Sequence, residues 1–362
     1  MSVTPVTRVQ GLILGLSIQK QLAASSLSPA PFARWRKLDM KVPFDLYHTE
    51  NDAHEIGKAT EFATAVYNTS VEPSPMTIEK YGSAEFTAWA WAYALSAFSA
   101  SGNTPGSGIY SIVPLDPNAA LGLEPLYFSV ISILPAGGAY AVDLAQIGCG
   151  IESVETTFKF GPGRESVSTR AEYVGLGYNT LNYTTIPGSS VQNENYMYSS
   201  ALTMTLVPIS GPTLNYVSNK SILSGTMGWK NNFNMQMRYL PGSGFDASGF
   251  QVGDRLLIGV RAPSLQFTVF LDPTQPEYAA LIAQTTYAVT IKITDPGGTH
   301  YVQWNYTTAN FNMVETVQES GFVAVTCTMI PLFGSTASAT GANGLTNFLT
   351  VTANCALYNI GS

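Results

Sequence analysis

Charge is scarce in this 362-residue chain. Lys, Arg, Asp and Glu make up 11% of it, against about 25% in an ordinary soluble domain. Helix surfaces draw on Lys and Glu, so this scarcity argues against a mostly helical protein. Histidine and cysteine are each limited to three residues. Cys149, Cys327 and Cys355 are odd in number, far apart and without any C-x-x-C spacing, which argues against a disulfide framework or a structural zinc site. No apolar run reaches the length of a transmembrane helix. No G-x-S-x-G elbow, Walker loop or H-E-x-x-H pair occurs.

What is present is β-rich material. Aromatic residues are 11% of the chain and hydrophobic residues 45%, so it can bury a core and disorder is not expected. The 32 glycines and 21 prolines suit many turns. The net charge of −7 is unevenly spread. Residues 1–41 carry six basic side chains and one acidic one, a net +5, which leaves −12 for the rest. A basic arm on an acidic body suggests self-assembly, the arm of one copy lying on the body of another. An acidic body also argues against tight nucleic-acid binding. The apolar stretch Gly11–Ile18 is expected to be a strand or arm; it lacks the flanks of a cleaved leader. Four N-x-S/T sequons, at Asn68, Asn182, Asn219 and Asn305, are close to chance in so Asn- and Thr-rich a chain.

The segment Ser25–Pro31 reads as a linker. One helix stands out. Phe86, Trp89, Ala90, Tyr93, Ala94, Ala97 and Phe98 share a helical face, Ser83 is placed to cap it, Glu85 sits in its first turn and Gly102 is placed to end it. The expected helix therefore spans Ser83–Ala100 and packs on a sheet. Four later segments alternate with period two: Leu202/Met204/Leu206, Leu265/Phe267/Val269, Tyr287/Val289/Ile291/Ile293 and Val323/Val325/Cys327/Met329. Gly161-Pro162-Gly163 and Asp295-Pro296-Gly297-Gly298 are turns between strands. A faint repeat links Tyr140-Ala141…Ala145-Gln146 to Tyr278-Ala279…Ala283-Gln284, Phe128-Ser129-Val130 to Phe267-Thr268-Val269, and Pro162 to Pro296. The expected fold class is mainly β: two related sandwich or barrel-like domains with one principal helix. The boundaries read as an N-terminal arm at 1–45, domains at 46–208 and 209–332, and a C-terminal extension at 333–362.

Candidate chemistry is thin. His48, Glu50, Asp52 and His54 alternate, so on a strand all four would share a face and could hold a metal; a solvated polar loop is the simpler expectation. His300 follows a turn and reads as a surface polar residue. Cys149 lies between two glycines but has no histidine near it in sequence, so it reads as a buried strand residue, and Cys327 points inward by its pattern. Neither a cofactor nor a catalytic centre is expected. The most distinctive surface feature is Arg34-Trp35-Arg36-Lys37, an aromatic flanked by cations, which is a composition favoured at interfaces and is expected to anchor the arm on a neighbouring subunit.

The order of these elements resembles the tail tube proteins of long-tailed bacteriophages, in the form with a duplicated tube domain. The residues that carry the resemblance are Arg8–Gly15 before a polar arm, the helix from Ser83, Pro125–Val130, Gly148–Val154, Arg170–Gly177, Trp229–Asn234 and Tyr239–Gly244. The resemblance covers most of residues 8–332 and lies in pattern and spacing. It implies a structural virion protein of the tail, assembled in the host bacterial cytoplasm, without catalytic residues. Its partners would be itself and adjacent tail proteins. Stacked rings would surround a lumen through which DNA passes without specific binding, and no membrane would be involved. Two tube domains per chain would give three chains per pseudo-sixfold ring; one domain would require six. The alternatives are a secreted β-sandwich carbohydrate-binding protein or hydrolase, with Trp35, Trp229 or Trp304 stacking on sugars, or another virion shell protein.

Overall fold

The computed structural model describes residues 13–17, 32–35, 39–40, 46–48, 71–73, 75–104, 107–115, 124–136, 139–161, 163–181, 190–209, 211, 213–217, 222–234, 255–319, 321–332 and 348–357. The strands among them are β1 (Ile13–Ser17), β2 (Phe32–Arg34), β3 (Asp39–Met40), β4 (Leu46–His48), β5 (Val71–Pro73), β6 (Met76–Tyr81), β7 (Ser96–Thr104), β8 (Ser107–Pro114), β9 (Phe128–Ala136), β10 (Ala139–Lys159) and β11 (Val167–Val174). They continue as β12 (Gly177–Leu181), β13 (Ser190–Val191), β14 (Leu202–Pro208), β15 (Leu214–Val217), β16 (Ile222–Lys230), β17 (Ala262–Phe270), β18 (Thr286–Thr294), β19 (Tyr301–Glu319), β20 (Phe322–Pro331) and β21 (Leu349–Cys355). Two α-helices accompany them, α1 (Ala84–Leu95) and α2 (Pro276–Ala283). The protein is mainly β and almost wholly antiparallel.

Three runs of strands organise the chain. The first is β7–β8–β21–β19–β18–β14–β15. The second is β3–β6–β11–β10–β16–β17–β20–β19. The nineteen-residue β19 belongs to both. The third, β12–β10–β9–β1–β2–β13, uses the first half of β10 and adds the strands of the basic arm. Bulges near Gln146–Cys149 and Ile151–Ser153 let β10 pass from the third run into the second.

Helix α1 touches both of the first two runs, and every one of its residues is buried. That burial explains a sequence of Ala, Trp, Phe and Tyr with one acid at its start: no face needs to be polar. Its ends are specified locally. Ser83 Oγ accepts the Phe86 N–H at 3.2 Å, as the sequence predicts. Its C-terminal end differs from expectation. Ser96 takes φ 67° and closes the helix at Leu95, and residues 96–104 leave as β7 to pair with β8. Helix α2 is a second helix beyond the one expected from the sequence, and Pro276 in its first turn and Glu277 beside it are start signals.

A chain of buried hydroxyls ties α1 to the second run. Thr87 Oγ1 donates to Ser83 O at 2.8 Å, so it accepts from Thr169 at 2.8 Å. Thr169 in turn accepts from Thr156 at 3.0 Å, and Thr156 accepts the Trp91 Nε1–H at 2.9 Å. The same Trp91 ring meets Trp304 of β19 edge-on at 5.9 Å. One side chain thus spans the space between the two runs. Asn231, fully buried, accepts from Trp229 Nε1 at 2.9 Å and donates to Ala94 O at 2.8 Å and Ile151 O at 2.9 Å, holding the helix's last turn. At the other end, the buried Glu85 carboxylate accepts from Asn195 N, Asn195 Nδ2 and Ala356 N at 2.8, 2.7 and 3.0 Å. Lys80 and Glu194 form a buried ion pair at 2.8 Å.

Two organisational expectations change. Within the expected C-terminal extension, residues 348–357 are no appendage: Leu349, Val351, Ala353 and Cys355 are buried, and β21 lies inside the first run between β8 and β19. Strands from both sides of residue 208 pair directly, β10 with β16 and β14 with β18. The repeat also shifts. Tyr140–Gln146 lies in strand β10, whereas Tyr278–Ala283 lies in α2, so that match is one of letters only. A strand–helix–hairpin order does recur, as β6–α1–β7–β8 and β17–α2–β18–β19, with the hairpins starting 190 residues apart at Ser96 and Thr286. Both hairpins pair with β21.

Candidate assembly surface

The outward face of the second run is built from the polar half of its period-two strands. Tyr81, Ser168, Thr157, Thr226, Gln266, Thr328 and Met313 stand opposite one another across seven strands. The next row is Lys159, Ser224, Thr268, Thr326 and Glu315. On the other side lie Glu79, Arg170, Glu155, Gly228 and Ser264, then Thr77, Glu172, Ser153, Lys230 and Ala262. Hydroxyls pair along the rows, Thr157 with Ser168 at 2.8 Å and Thr268 with Thr326 at 3.0 Å. Glu79, Arg170 and Glu155 alternate in sign, and Arg170 also meets Glu172 at 2.9 Å. A groove of about 540 Å³ runs over this face, lined chiefly by Ser, Thr and Gln and rimmed by Glu79, Tyr81, Lys159 and Glu165.

Towards β19 the same face turns apolar. Met313, Phe322 and Ile330 are exposed, with Phe322 at 62%, and Phe270 meets Phe322 edge-on at 5.8 Å. Among the described residues, the stretch from Met313 to Glu319 is paired on one side only, with β20. An unpaired backbone edge beside an apolar margin is a template for another strand.

The residues singled out in the sequence fall as follows. Trp35 is buried in its own chain at 9% exposure, its ring edge-on to Phe86 at 5.5 Å. It is a core residue of this chain and is not displayed to a neighbour. Arg34 ends β2, opposite Val191; Arg36 and Lys37 lie outside the described residues. His48 ends β4, opposite Val71, whereas Glu50, Asp52 and His54 lie outside the described residues, as does the Ser25–Pro31 linker. Among the described residues, no group of three or more His, Cys, Asp or Glu converges. Trp229 and Trp304 are core residues, so neither they nor Trp35 offers a sugar a platform. Val323, expected to face inward, is 52% exposed.

The three thiols are buried and unbridged. Burial pushes all three above the usual thiol range; the field of Glu277 adds to this for Cys327 and that of Glu85 for Cys355. Their thiolates, the nucleophilic form, are therefore disfavoured. His300 holds its turn: Nδ1 lies 3.1 Å from Asp295 Oδ2, and the His300 and Thr299 amides donate to Asp295 Oδ1 at 3.2 and 2.9 Å. Partial burial works against ionisation of Asp295, but these hydrogen bonds and the His300 charge hold its carboxyl below the usual range. The polar rows were missed at the level of sequence, although they are the alternate positions of strands recognised there. No family model and no curated protein matches the chain.

Proposed function

We propose that this chain is a structural virion protein, a tail tube subunit whose copies form stacked rings around a lumen that conducts DNA. The observation that carries the reading is the seven-strand polar face ending in an apolar, one-sided β19 margin. A neighbouring copy pairing on that margin extends the face from subunit to subunit, and repetition of one head-to-tail contact closes a ring. A lumen lined by Ser, Thr and Gln, where Glu79, Glu155, Glu165, Glu172 and Glu315 outnumber Lys159, Arg170 and Lys230, gives phosphates little to grip. The −12 body favours passage over binding for the same reason. The recurring strand–helix–hairpin order fits two related units per chain, and so three chains per pseudo-sixfold ring; six chains is the alternative. Adjacent tail proteins are the other partners. No helix among the described residues is long and apolar enough to cross a membrane, and the proposed location is the virion tail.

Sedimentation of the purified chain tests the contact. The sedimentation coefficient should rise with concentration, and Met313→Lys with Ile330→Lys should return the protein to single chains without unfolding it. A wild-type chain that stays single at high micromolar concentration overturns the reading.

A further inference from the structure

Helix α2 is amphipathic in the inverse of the usual sense. Its one charged residue, Glu277, is buried at 1% exposure and accepts a hydrogen bond from Tyr216 Oη of β15 at 2.6 Å. The adjacent Tyr278 Oη meets Thr316 Oγ1 of β19 at 2.6 Å, so the helix fills the space between two strand edges. Among the described residues β15 pairs only with β14, and β19 from Met313 onward only with β20. The face left outside is Ala279, Ile282 and Ala283, spaced i, i+3 and i+4, and Ile282 is 83% exposed. A surface helix ordinarily turns its polar residues that way. Two more aliphatic side chains adjoin the end of this stripe. The Thr285 N–H closes the helix on Ala280 O, the Ile209 N–H reaches Thr286 O at 3.2 Å, and Val207 stands opposite Ala288. Ile209 is 82% exposed and Val207 48%.

Helix α1 holds the same place in the recurring strand–helix–hairpin order, and there the chain supplies the cover itself. Trp35 packs on Phe86, and Phe128 of β9 packs on Trp89 and Tyr93. Among the described residues nothing comparable lies over the α2 stripe. We propose that a second copy of this chain packs on it, so that the contact at the β19 margin continues across Ala279, Ile282 and Ala283 to Val207 and Ile209. This rests on the self-assembly reading above. The stripe is continuous with that margin, because Tyr278 is bonded to Thr316 within it. An uncharged aliphatic patch is the composition of an interface core, and its exposure marks a contact surface. Charge favours a second copy as the occupant. Between Ala262 and Glu319 five acidic side chains stand against one basic, whereas residues 1–41 of each copy carry a net +5. This side therefore attracts the basic part of a neighbour and repels a nucleic acid.

Thiol footprinting of the full chain tests it. The three native cysteines are buried, so the parent chain gives a low background and Ile282→Cys adds one accessible thiol. Its alkylation by iodoacetamide is followed by mass spectrometry in dilute single chains and in assemblies separated by sedimentation. Fast labelling of single chains and labelling at least tenfold slower in assemblies is expected. Equal rates in the two states overturn the α2 contact and leave the assembly reading standing. Slow labelling already in single chains places the cover within the chain and overturns it too. A second variant, Ile209→Lys with Ile282→Lys, should weaken self-association more than tenfold with circular dichroism unchanged; undiminished association overturns the proposal. A parent chain that never associates overturns the assembly reading and this proposal with it.

Discussion

Thr156→Val offers a sharp test of how the helix is held. The substitution is nearly isosteric, so it opens no cavity, but it removes the acceptor of the Trp91 indole N–H. That donor belongs to a fully buried side chain between the two strand runs. Leaving a buried donor unmet costs about 1–3 kcal/mol, whereas removing both partners of a bond costs far less. Trp91→Phe removes the donor itself, at a separate cost in packing against Trp304. The pair forms a double-mutant cycle. In the Trp91→Phe background, Thr156→Val loses only its bond to Thr169, so the two substitutions should couple by about 1 kcal/mol or more. Urea unfolding at unchanged slope measures this as midpoint shifts. If the two costs add to within about 0.5 kcal/mol, the hydroxyl chain does not anchor the indole, and the account of α1 is wrong.

Trp35→Ala should destabilise the isolated chain by on the order of 3 kcal/mol, as removal of a packed core aromatic does, read by the same unfolding assay; an unchanged midpoint would mean Trp35 does not pack on Phe86. Gly225→Val should lower stability by about 1–3 kcal/mol through overpacking, because even its Cβ would fall within van der Waals overlap of the Phe158 ring; a neutral effect would refute the close approach. The Asp295 carboxyl, held low in the folded chain, contributes stability that is present above its unfolded pKa and lost as pH falls through its lower folded value. The protection of the Thr299 and His300 amides, their exchange measured relative to unstructured peptide at the same pH, should therefore fall on acidification below the usual carboxylate range, and Asp295→Asn should abolish that fall. Replacing Phe270 and Phe322 by Ser should weaken self-association more than tenfold in sedimentation while leaving circular dichroism unchanged; equal association would remove the apolar margin from the contact.

The strands were legible where one face is buried and the other wet, because Leu202–Leu206 or Tyr287–Ile293 then alternate cleanly. Helix α1 was legible in position but misjudged in kind. Its buried surroundings admit Trp91 and Leu95 off the expected stripe, and its end depends on Ser96 entering a left-handed conformation that a serine does not advertise. Strand β21 does alternate, Leu349-Thr350-Val351-Thr352-Ala353-Asn354-Cys355, but its partners β8 and β19 are distant in sequence. Nothing local distinguishes such a central strand from a tail. Trp35 posed the converse difficulty: flanking cations suggested an exposed anchor, while its ring packs on Phe86. The polar face escaped notice because its rows exist only once register is known.

Rotationally averaged electron micrographs of the purified chain, with the mass of single particles measured alongside, test the central claim most directly. Rings with a central opening that stack face to face, sixfold in outline and with the mass of three chains each, are predicted. Single compact particles of one-chain mass at every concentration would contradict the account.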